Sequence, residues 1–391
     1  MSRIGIYGGA FNPPHTGHIR AAEFAVHALN LDKLLLIPSC SSPHKPLPEG
    51  SPTPRQRLAM TKLWEGEKME VCDIELSRGG TSYTYETVEQ LKQRYPNDEL
   101  ILFMGSDMFL SFHTWKEPER ILKCVSLAVF YRGDKGEQAA IAAKQQEYER
   151  AGHRVYLVEN PVTEISSTQL RRMLVFRCAA PFVDARVLSY IEENGLYGTG
   201  KDYRNLPMDE LERVVVNLLN PNRVKLVLGC RDTAADLAKR WGTDVTDAAR
   251  AGLLHDITKA LDGPLQLTLC REYGKVLDEF SENNPKTLHA LTGSLVAERI
   301  FGENEAVVSA IESHTTGKAA MNTLEKIIYV ADYMEPNRNF PGVEELRRLA
   351  YTDLDGALKL GLEMTLSVLK EQKRQISPAS SEALAYLMKG K

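Results

Sequence analysis

The hydrophobic pattern changes kind once along this chain of 391 residues, and that change bounds the fold. Up to Tyr197, short apolar runs recur at strand length: Arg3–Tyr7, Lys33–Pro38, Glu70–Glu75, Glu99–Met104, Ser126–Tyr131 and Arg154–Val158. Helical patterns, such as Ile19–Leu29 and Thr84–Tyr95, lie between several of them. Strands alternating with helices build a parallel sheet covered on both faces. Ligands of such sheets sit beyond the carboxyl ends of the strands. After Tyr197 the pattern is nearly all helical. Val214–Leu219, Val224–Trp241, Val245–Ala260, Thr287–Phe301, Ala306–His314, Leu324–Tyr333 and Ala357–Gln375 carry apolar residues at helical spacing. Gly198–Arg204, rich in glycine and charge, reads as a linker. The expected organisation is one domain over 1–197, a linker over 198–206 and a second domain over 207–391.

Charge and cysteine usage narrow the partners. The net charge is −4 and no polybasic block occurs, so a nucleic-acid partner is not expected. The six cysteines are widely spaced with no Cys-x-x-Cys pair, which favours reduced thiols in the cytoplasm. Neither a signal peptide nor an apolar run of membrane-spanning length is seen, so no membrane association is expected. A homo-oligomer is left open.

Gly8-Gly9-Ala10-Phe11-Asn12-Pro13-Pro14-His15-Thr16-Gly17-His18 follows the first strand and opens the first helix. Glycines at a strand end let backbone N–H groups approach a phosphate closely. His15 and His18, three residues apart at a helix start, share one face. Negative charge is favoured at that end of the helix. The arrangement suits the polyphosphate of a nucleotide. Four further segments matter. Ser42-Pro43-His44-Lys45-Pro46 brings a cation after the second strand. Ser77 to Thr84 combines glycines and hydroxyls with a helix start. Gly105-Ser106-Asp107-Met108 leads on to Trp115-Lys116, where Trp115 serves either to stack on a flat ring or to fill the core. Ile165-Ser166-Ser167-Thr168-Gln169-Leu170-Arg171 starts a helix with hydroxyls and an arginine one turn in, an anion site.

The His15-Thr16-Gly17-His18 stretch resembles the HxGH-type nucleotidyltransferases, with Ala10 where Thr or Ser is commoner. With the other segments, residues 1–197 resemble the bacterial nicotinate-nucleotide adenylyltransferases. The resemblance implies adenylyl transfer from ATP, with Mg²⁺, to nicotinate mononucleotide, giving nicotinate adenine dinucleotide and pyrophosphate. It further implies His15 and His18 at the transferring phosphate, and Lys45 and Arg171 on the leaving pyrophosphate. ATP would meet Gly8, Gly9, Ala10, Phe11, Gly105, Asp107, Ile165, Ser166 and Ser167. The acceptor's pyridine would stack on Trp115, and its carboxylate would meet Thr81, Ser82, Tyr83 and Thr84.

The second half carries His255-Asp256, His289, His314 and Asp332 in otherwise apolar helices. Such groups need partners when buried, and imidazole with carboxylate suits Fe, Mn or Zn. Over about residues 207–385 this set resembles the HD-domain phosphohydrolases, in particular the bacterial hydrolases that split diadenosine tetraphosphate symmetrically. That family opens its ligand set with Arg-x-x-His. Here the segment is Arg223-Val224-Lys225-Leu226, so Leu226 stands where the first histidine belongs. The implied metal ligands are therefore His255, Asp256, His289, His314 and Asp332. Asp232 and Asp236 on the same helical stretch are candidates for the missing group. The fold implied is an α/β Rossmann-like nucleotidyltransferase domain with a parallel sheet, followed by an all-α HD domain. A non-catalytic helical module for regulation or oligomerisation is the alternative for the second half.

Overall fold

Leu34-Leu35-Leu36-Ile37 is buried on both faces of its strand, as a central parallel strand requires. It belongs to a sheet of six parallel strands: β1 (Arg3–Gly9), β2 (Lys33–Pro38), β3 (Met69–Val71), β4 (Glu99–Gly105), β5 (Ser126–Tyr131) and β6 (Val155–Glu159). Their order is β3-β2-β1-β4-β5-β6. The computed structural model describes residues 1–41, 46–131, 135–159 and 165–389. These divide into two units, Met1–Lys201 and Asp202–Lys391.

The strand order reverses between β1 and β4. Those two strands pair from Arg3–Glu99 to Ile6–Leu102 and no further. Beyond Ile6, β1 stays with β2 as far as Gly9–Pro38, while β4 stays with β5 as far as Gly105–Phe130. The sheet therefore splits at the carboxyl ends of its two middle strands, where a ligand crevice forms. Gly5 lets β1 pack under its neighbours: a Cβ there would come within 2.6 Å of Leu34 and 2.7 Å of Phe103.

The Thr16–Ala28 helix packs toward β2 and buries Ala21, Ala22, Ala25 and Val26. One expectation fails in this unit. Glu70–Glu75 is not one strand: β3 ends at Val71, and Ile74–Arg78 is a short helix with Ile74 and Glu75 buried. Gly79 and Gly80, at φ +73° and +70°, stop that helix. The periodicity of so short a run does not separate strand from helix.

The second unit is helical, with no strand among its described residues. Val224–Trp241 packs on Val245–Leu254 and on Thr323–Met334. A Cβ at Gly252 would lie 2.8 Å from the Arg231 Cα, so glycine sets the closeness of the first of these crossings. The helix expected over Val245–Ala260 ends at Leu254, and tight turns carry the chain from His255 onward. Of the stretch read as linker, Tyr203 is buried, with its ring 6.1 Å from that of Phe301. Among the described residues no helix is long and apolar enough to cross a membrane.

Candidate active sites

In the first unit a cavity of about 550 Å³ opens at the split between β1 and β4. His15, His18, Gly105, Asp107, Ile165, Ser166 and Ser167, expected at the nucleotide, all line it. Ser106, of the same Gly105-Ser106-Asp107 segment, lines it as well, and so do Tyr7, Phe130, Tyr131 and Glu137, which the sequence does not single out. Tyr7 and Tyr131 come from strand ends that only the sheet order brings near each other, so no sequence spacing marks them.

The two imidazoles are 3.6 Å apart between ring centroids. The His15 backbone N–H donates to His18 Nδ1 at 3.3 Å. An accepting Nδ1 leaves the proton of the neutral ring on Nε2. Burial, with His18 as a lesser cause, pushes the pKa of His15 down to about 2; burial pushes that of His18 down to about 4. Both rings are therefore neutral at physiological pH and act as N–H donors, not as cations.

The loop beneath them is pinned from three sides. Arg57, 0 % exposed, donates to the carbonyls of Ala10 at 2.5 Å, Ser39 at 2.6 Å and Cys40 at 3.1 Å. Arg171 donates to the Asn12 carbonyl at 2.8 Å, and the Tyr197 hydroxyl to Asn12 Oδ1 at 2.7 Å. Arg57 and Tyr197 were not anticipated, since nothing in sequence tells a buried arginine or tyrosine from an exposed one. Arg171 does not border the cavity; it holds the loop and reaches Thr168 Oγ1 at 3.1 Å. Gly8 and Gly9 end β1 and Ala10 supplies a carbonyl to Arg57. The Phe11 side chain is turned into the core, with its ring 5.2 Å from that of His18. Lys45 lies outside the described residues.

The segment expected at the acceptor is built from the β2 side. Ser82 is buried: its Oγ accepts the Cys40 N–H at 2.9 Å and its own N–H donates to the Ser41 carbonyl at 2.8 Å. Thr81 is exposed, and Thr84 opens the Thr84–Arg94 helix behind Tyr83. The Lys116 ammonium sits 3.9 Å over the Tyr83 ring. Trp115 is half-buried, its ring 5.2 Å from that of Phe112. The 81–84 and 115–116 segments are thus neighbours.

In the second unit the polar groups converge on Asp256. His255 Nε2 is 3.4 Å from Asp256 Oδ2 and 3.4 Å from Asp332 Oδ1. His289 Nε2 and His314 Nε2 are 3.5 and 3.7 Å from Asp256 Oδ1. Lys259 reaches the same carboxylate at 3.1 Å, and Arg223 pairs with it as well. Each Nδ1 is bound to a carbonyl three residues earlier: His255 to Gly252 at 2.8 Å, His289 to Lys286 at 3.0 Å, His314 to Ile311 at 2.7 Å. A carbonyl at each Nδ1 turns Nε2 inward, the orientation of metal-ligating imidazoles; the Thr315 hydroxyl meets Nε2 of both His289 and His314 at 3.1 Å. The three histidines sit at helix ends, where side chains can turn out of the packed faces: His255 and His314 follow the last turns of their helices, and His289 begins one.

Burial, then Lys259 and His314, push the pKa of His289 down to about 3. Burial works against the Asp256 charge, yet the His255 and His314 imidazoles and Lys259 hold its carboxyl well below the usual range. His255 Nε2 and Asp256 Oδ1 are buried without a hydrogen bond. Lys259 Nζ already stands 3.1 Å from that carboxylate oxygen, and the buried Nε2 calls for a partner of its own. His255, Asp256 and His314 can each offer an atom to one ion, so the residues fit a metal. Asp332 stands beside them, its carboxylate held by Arg338 at 2.7 Å. Asp232 and Asp236 do not join the set: Asp232 pairs with Arg231 and Asp236 with Lys239, both carboxylates being well exposed. They point to solvent because the inner face of that helix is given to Val227, Cys230, Thr233, Ala234 and Leu237.

Comparison with known proteins agrees with this division. A Cytidylyltransferase-like family model matches residues 6–173, and an HD domain model matches residues 227–337. A Borreliella afzelii protein named "probable nicotinate-nucleotide adenylyltransferase" is 34% identical over 198 residues, 50% of this chain and 96% of the relative. A Bacillus subtilis protein named "bis(5'-nucleosyl)-tetraphosphatase, symmetrical" is 35% identical over 184 residues, 46% of this chain and 98% of the relative. A crystal structure of a "predicted HD superfamily hydrolase involved in NAD metabolism" from Clostridium acetobutylicum is 38% identical, covering 48% of this chain and 99% of that one, with a TM-score of 0.46.

Proposed function

This chain belongs to the nicotinate-nucleotide adenylyltransferases in its first half and to the symmetrical bis(5'-nucleosyl)-tetraphosphatases of the HD group in its second, and from that we propose two reactions for it. The first half is a nucleotidyltransferase. Its proposed reaction takes the adenylyl group of ATP to nicotinate mononucleotide, releasing pyrophosphate. The observation that carries this reading is the pair of neutral histidines opening into the cavity where β1 and β4 part.

The proposed mechanism is direct. A phosphate oxygen of the mononucleotide attacks the α-phosphorus of ATP, and the bond to the pyrophosphate oxygen breaks. No covalent enzyme intermediate forms. His18, with its proton on Nε2, donates to the oxygens on which charge accumulates, and His15 supports it. Donors already in place at that point need no reorganisation in the transition state. Arg57, Arg171 and Tyr197 fix the loop that carries them, which keeps the reacting groups aligned. Ser106, Asp107, Ser166 and Ser167 border the room left for the nucleotide. Lys45 and the Mg²⁺ accompanying ATP would face the leaving pyrophosphate.

For the second half the proposed reaction is hydrolysis of diadenosine tetraphosphate or a related nucleotide. His255, Asp256, His289, His314 and Asp332 would hold a transition metal, iron, manganese or zinc. Such an ion supplies a Lewis acid that activates water against a phosphoanhydride. The chain's own part is to present the three Nε2 atoms and the Asp256 and Asp332 carboxylates to the ion. A cavity of about 560 Å³ is bordered by Leu288 and Ser313, which adjoin His289 and His314, with Phe280 as a flat apolar surface; its lysines Lys275 and Lys318 are balanced by Glu312 and Asp278 in the same lining, and Lys318 pairs with Glu325 at 2.7 Å.

Purified full-length protein, incubated with ATP and nicotinate mononucleotide, tests the first reaction. Formation of nicotinate adenine dinucleotide and pyrophosphate in equal amounts is expected. The same preparation, loaded in turn with iron, manganese and zinc, tests the second, with ADP as the expected product. Failure of either reaction under these conditions removes it without touching the other.

A further inference from the structure

Adenylyl transfer brings a polyphosphate into the first-unit cavity, yet among the described residues that line it none is a lysine or an arginine, while Asp107 and Glu137 bring two carboxylates. Both stand at the β4–β5 end. Asp107 turns back over the end of β4, where a Cβ on Gly105 would come within 2.9 Å of its Oδ1. Glu137 is half-buried in the first turn of the Lys135–Arg150 helix, which follows β5. A first-turn glutamate is stabilised by its own helix whether or not it meets a ligand. This one is also tied to the cavity wall: Ser106 Oγ, at the end of β4, donates to Glu137 Oε1. A carboxylate has room for several donors, so one hydroxyl leaves it able to accept more. The sheet order decides what comes near it. The crevice runs from the β2 side, where Ser82 is bound to Cys40 and Ser41, past His15 and His18 at the end of β1, to Gly105 and Phe130 at the ends of β4 and β5. With the acceptor on the β2 side and the transferring phosphate at the histidines, the adenosine of ATP falls on the β5 side. A carboxylate there repels phosphate and takes only hydrogen-bond donors, which in adenosine are the ribose hydroxyls and the 6-amino group.

We infer that Glu137 is a specificity-determining residue for the nucleotide donor, its carboxylate accepting a hydrogen bond from the adenosine half of ATP, from a ribose hydroxyl or from the 6-amino group. The inference rests on the adenylyl-transfer reading above. A donor missing from the nucleotide leaves this acceptor unpaired in the closed complex, and that penalty is what discriminates.

The test compares ATP with 2'-deoxyATP, 3'-deoxyATP and ITP, each of which lacks one of those donors. Initial rates are taken with full-length protein, saturating nicotinate mononucleotide and excess Mg²⁺. In the natural protein one analogue is expected to fall below ATP in kcat/KM by about tenfold or more. In Glu137→Ala that ratio is expected to shrink to within about twofold of unity, with KM for ATP raised by a similar factor and kcat changed less. The analogue whose ratio collapses names the group received. Glu137→Gln, of the same length and still an acceptor, serves if the alanine variant does not fold, and its ratio is expected to shrink severalfold. A natural protein indifferent to all three analogues overturns the inference. So does a variant that loses rate equally with ATP and the analogues, which reduces Glu137 to a support for Ser106, or one in which only the Mg²⁺ dependence moves. Each of these leaves adenylyl transfer standing. A chain that forms no dinucleotide from ATP overturns that reading and the inference with it.

Discussion

The His15 backbone N–H points at Nδ1 of His18, 3.3 Å away, and so decides which nitrogen of that ring carries the proton. The Nε2–H is left as a donor of fixed direction beside the cavity. Its loss should be felt in the transition state and little elsewhere. His18→Ala is expected to lower kcat for adenylyl transfer by about 10²–10³, with KM for ATP changed far less. Circular dichroism and thermal unfolding should show an intact fold. Turnover near that of the natural enzyme would remove His18 from the reaction.

Discrimination between nicotinate and nicotinamide mononucleotide should follow from the 81–84 segment. With Ser82 engaged by Ser41 and Cys40, its donors are the exposed Thr81 and the start of the Thr84–Arg94 helix, on the segment whose Tyr83 meets Lys116. A pocket of donors accepts a carboxylate and leaves an amide NH₂ facing N–H groups. We expect at least about a tenfold preference in kcat/KM for the nicotinate form. Steady-state kinetics with both acceptors measures it directly, and equal efficiency would mean that this segment does not hold the carboxylate.

The buried histidines also make the first unit acid-sensitive. In the unfolded chain each imidazole takes a proton near its ordinary pKa of 6.5, while in the fold His18 resists protonation until about pH 4 and His15 until about pH 2. Between those values the unfolded state binds more protons, so stability falls as pH falls and is fully present above about pH 6.5. Denaturant unfolding of the ligand-free protein between pH 7 and pH 4.5 should show this slope. His18→Asn, which cannot titrate, should flatten it; an unchanged slope assigns the acid sensitivity to other groups.

Leu226 lies three residues after Arg223, whose guanidinium pairs with Asp256, so an imidazole placed there should reach the same cluster. Leu226→His is expected to raise metal affinity about tenfold or more, and hydrolysis of diadenosine tetraphosphate with it, because a protein ligand replaces water and fixes the ion. Metal content after dialysis and initial rates with several divalent ions compare the two proteins. A variant that gains neither metal nor rate places Leu226 off the metal face.

Legibility from sequence followed burial. Runs such as Leu34–Ile37 announce a central strand because both faces are apolar, whereas the short stretch at Ile74 carries too few residues to reveal its period. His255-Asp256, His289 and His314 stand out as polar groups in apolar helices. Thr315 does not, since nothing in the sequence marks a hydroxyl that meets both His289 Nε2 and His314 Nε2. Arg57 was equally silent: it sits two residues from Arg55, and only the folded loop shows which guanidinium is enclosed by carbonyls. Asp232 and Asp236 misled for the opposite reason, having ligand chemistry but facing solvent.

Each metal-site imidazole takes its carbonyl from three residues earlier, within its own helix end. The Nδ1 side of each ring is therefore set by local turns and does not depend on how the helices meet. The Nε2 side is set by the packing: Thr315 Oγ1 meets Nε2 of both His289 and His314 at 3.1 Å, and Asp256 and Asp332 each lie 3.4 Å from His255 Nε2, a setting that favours a proton there. An ion entering the cluster displaces that hydroxyl and that proton, and both return when it leaves, so exchange at this point of the bundle is tied to the acidity of the solvent.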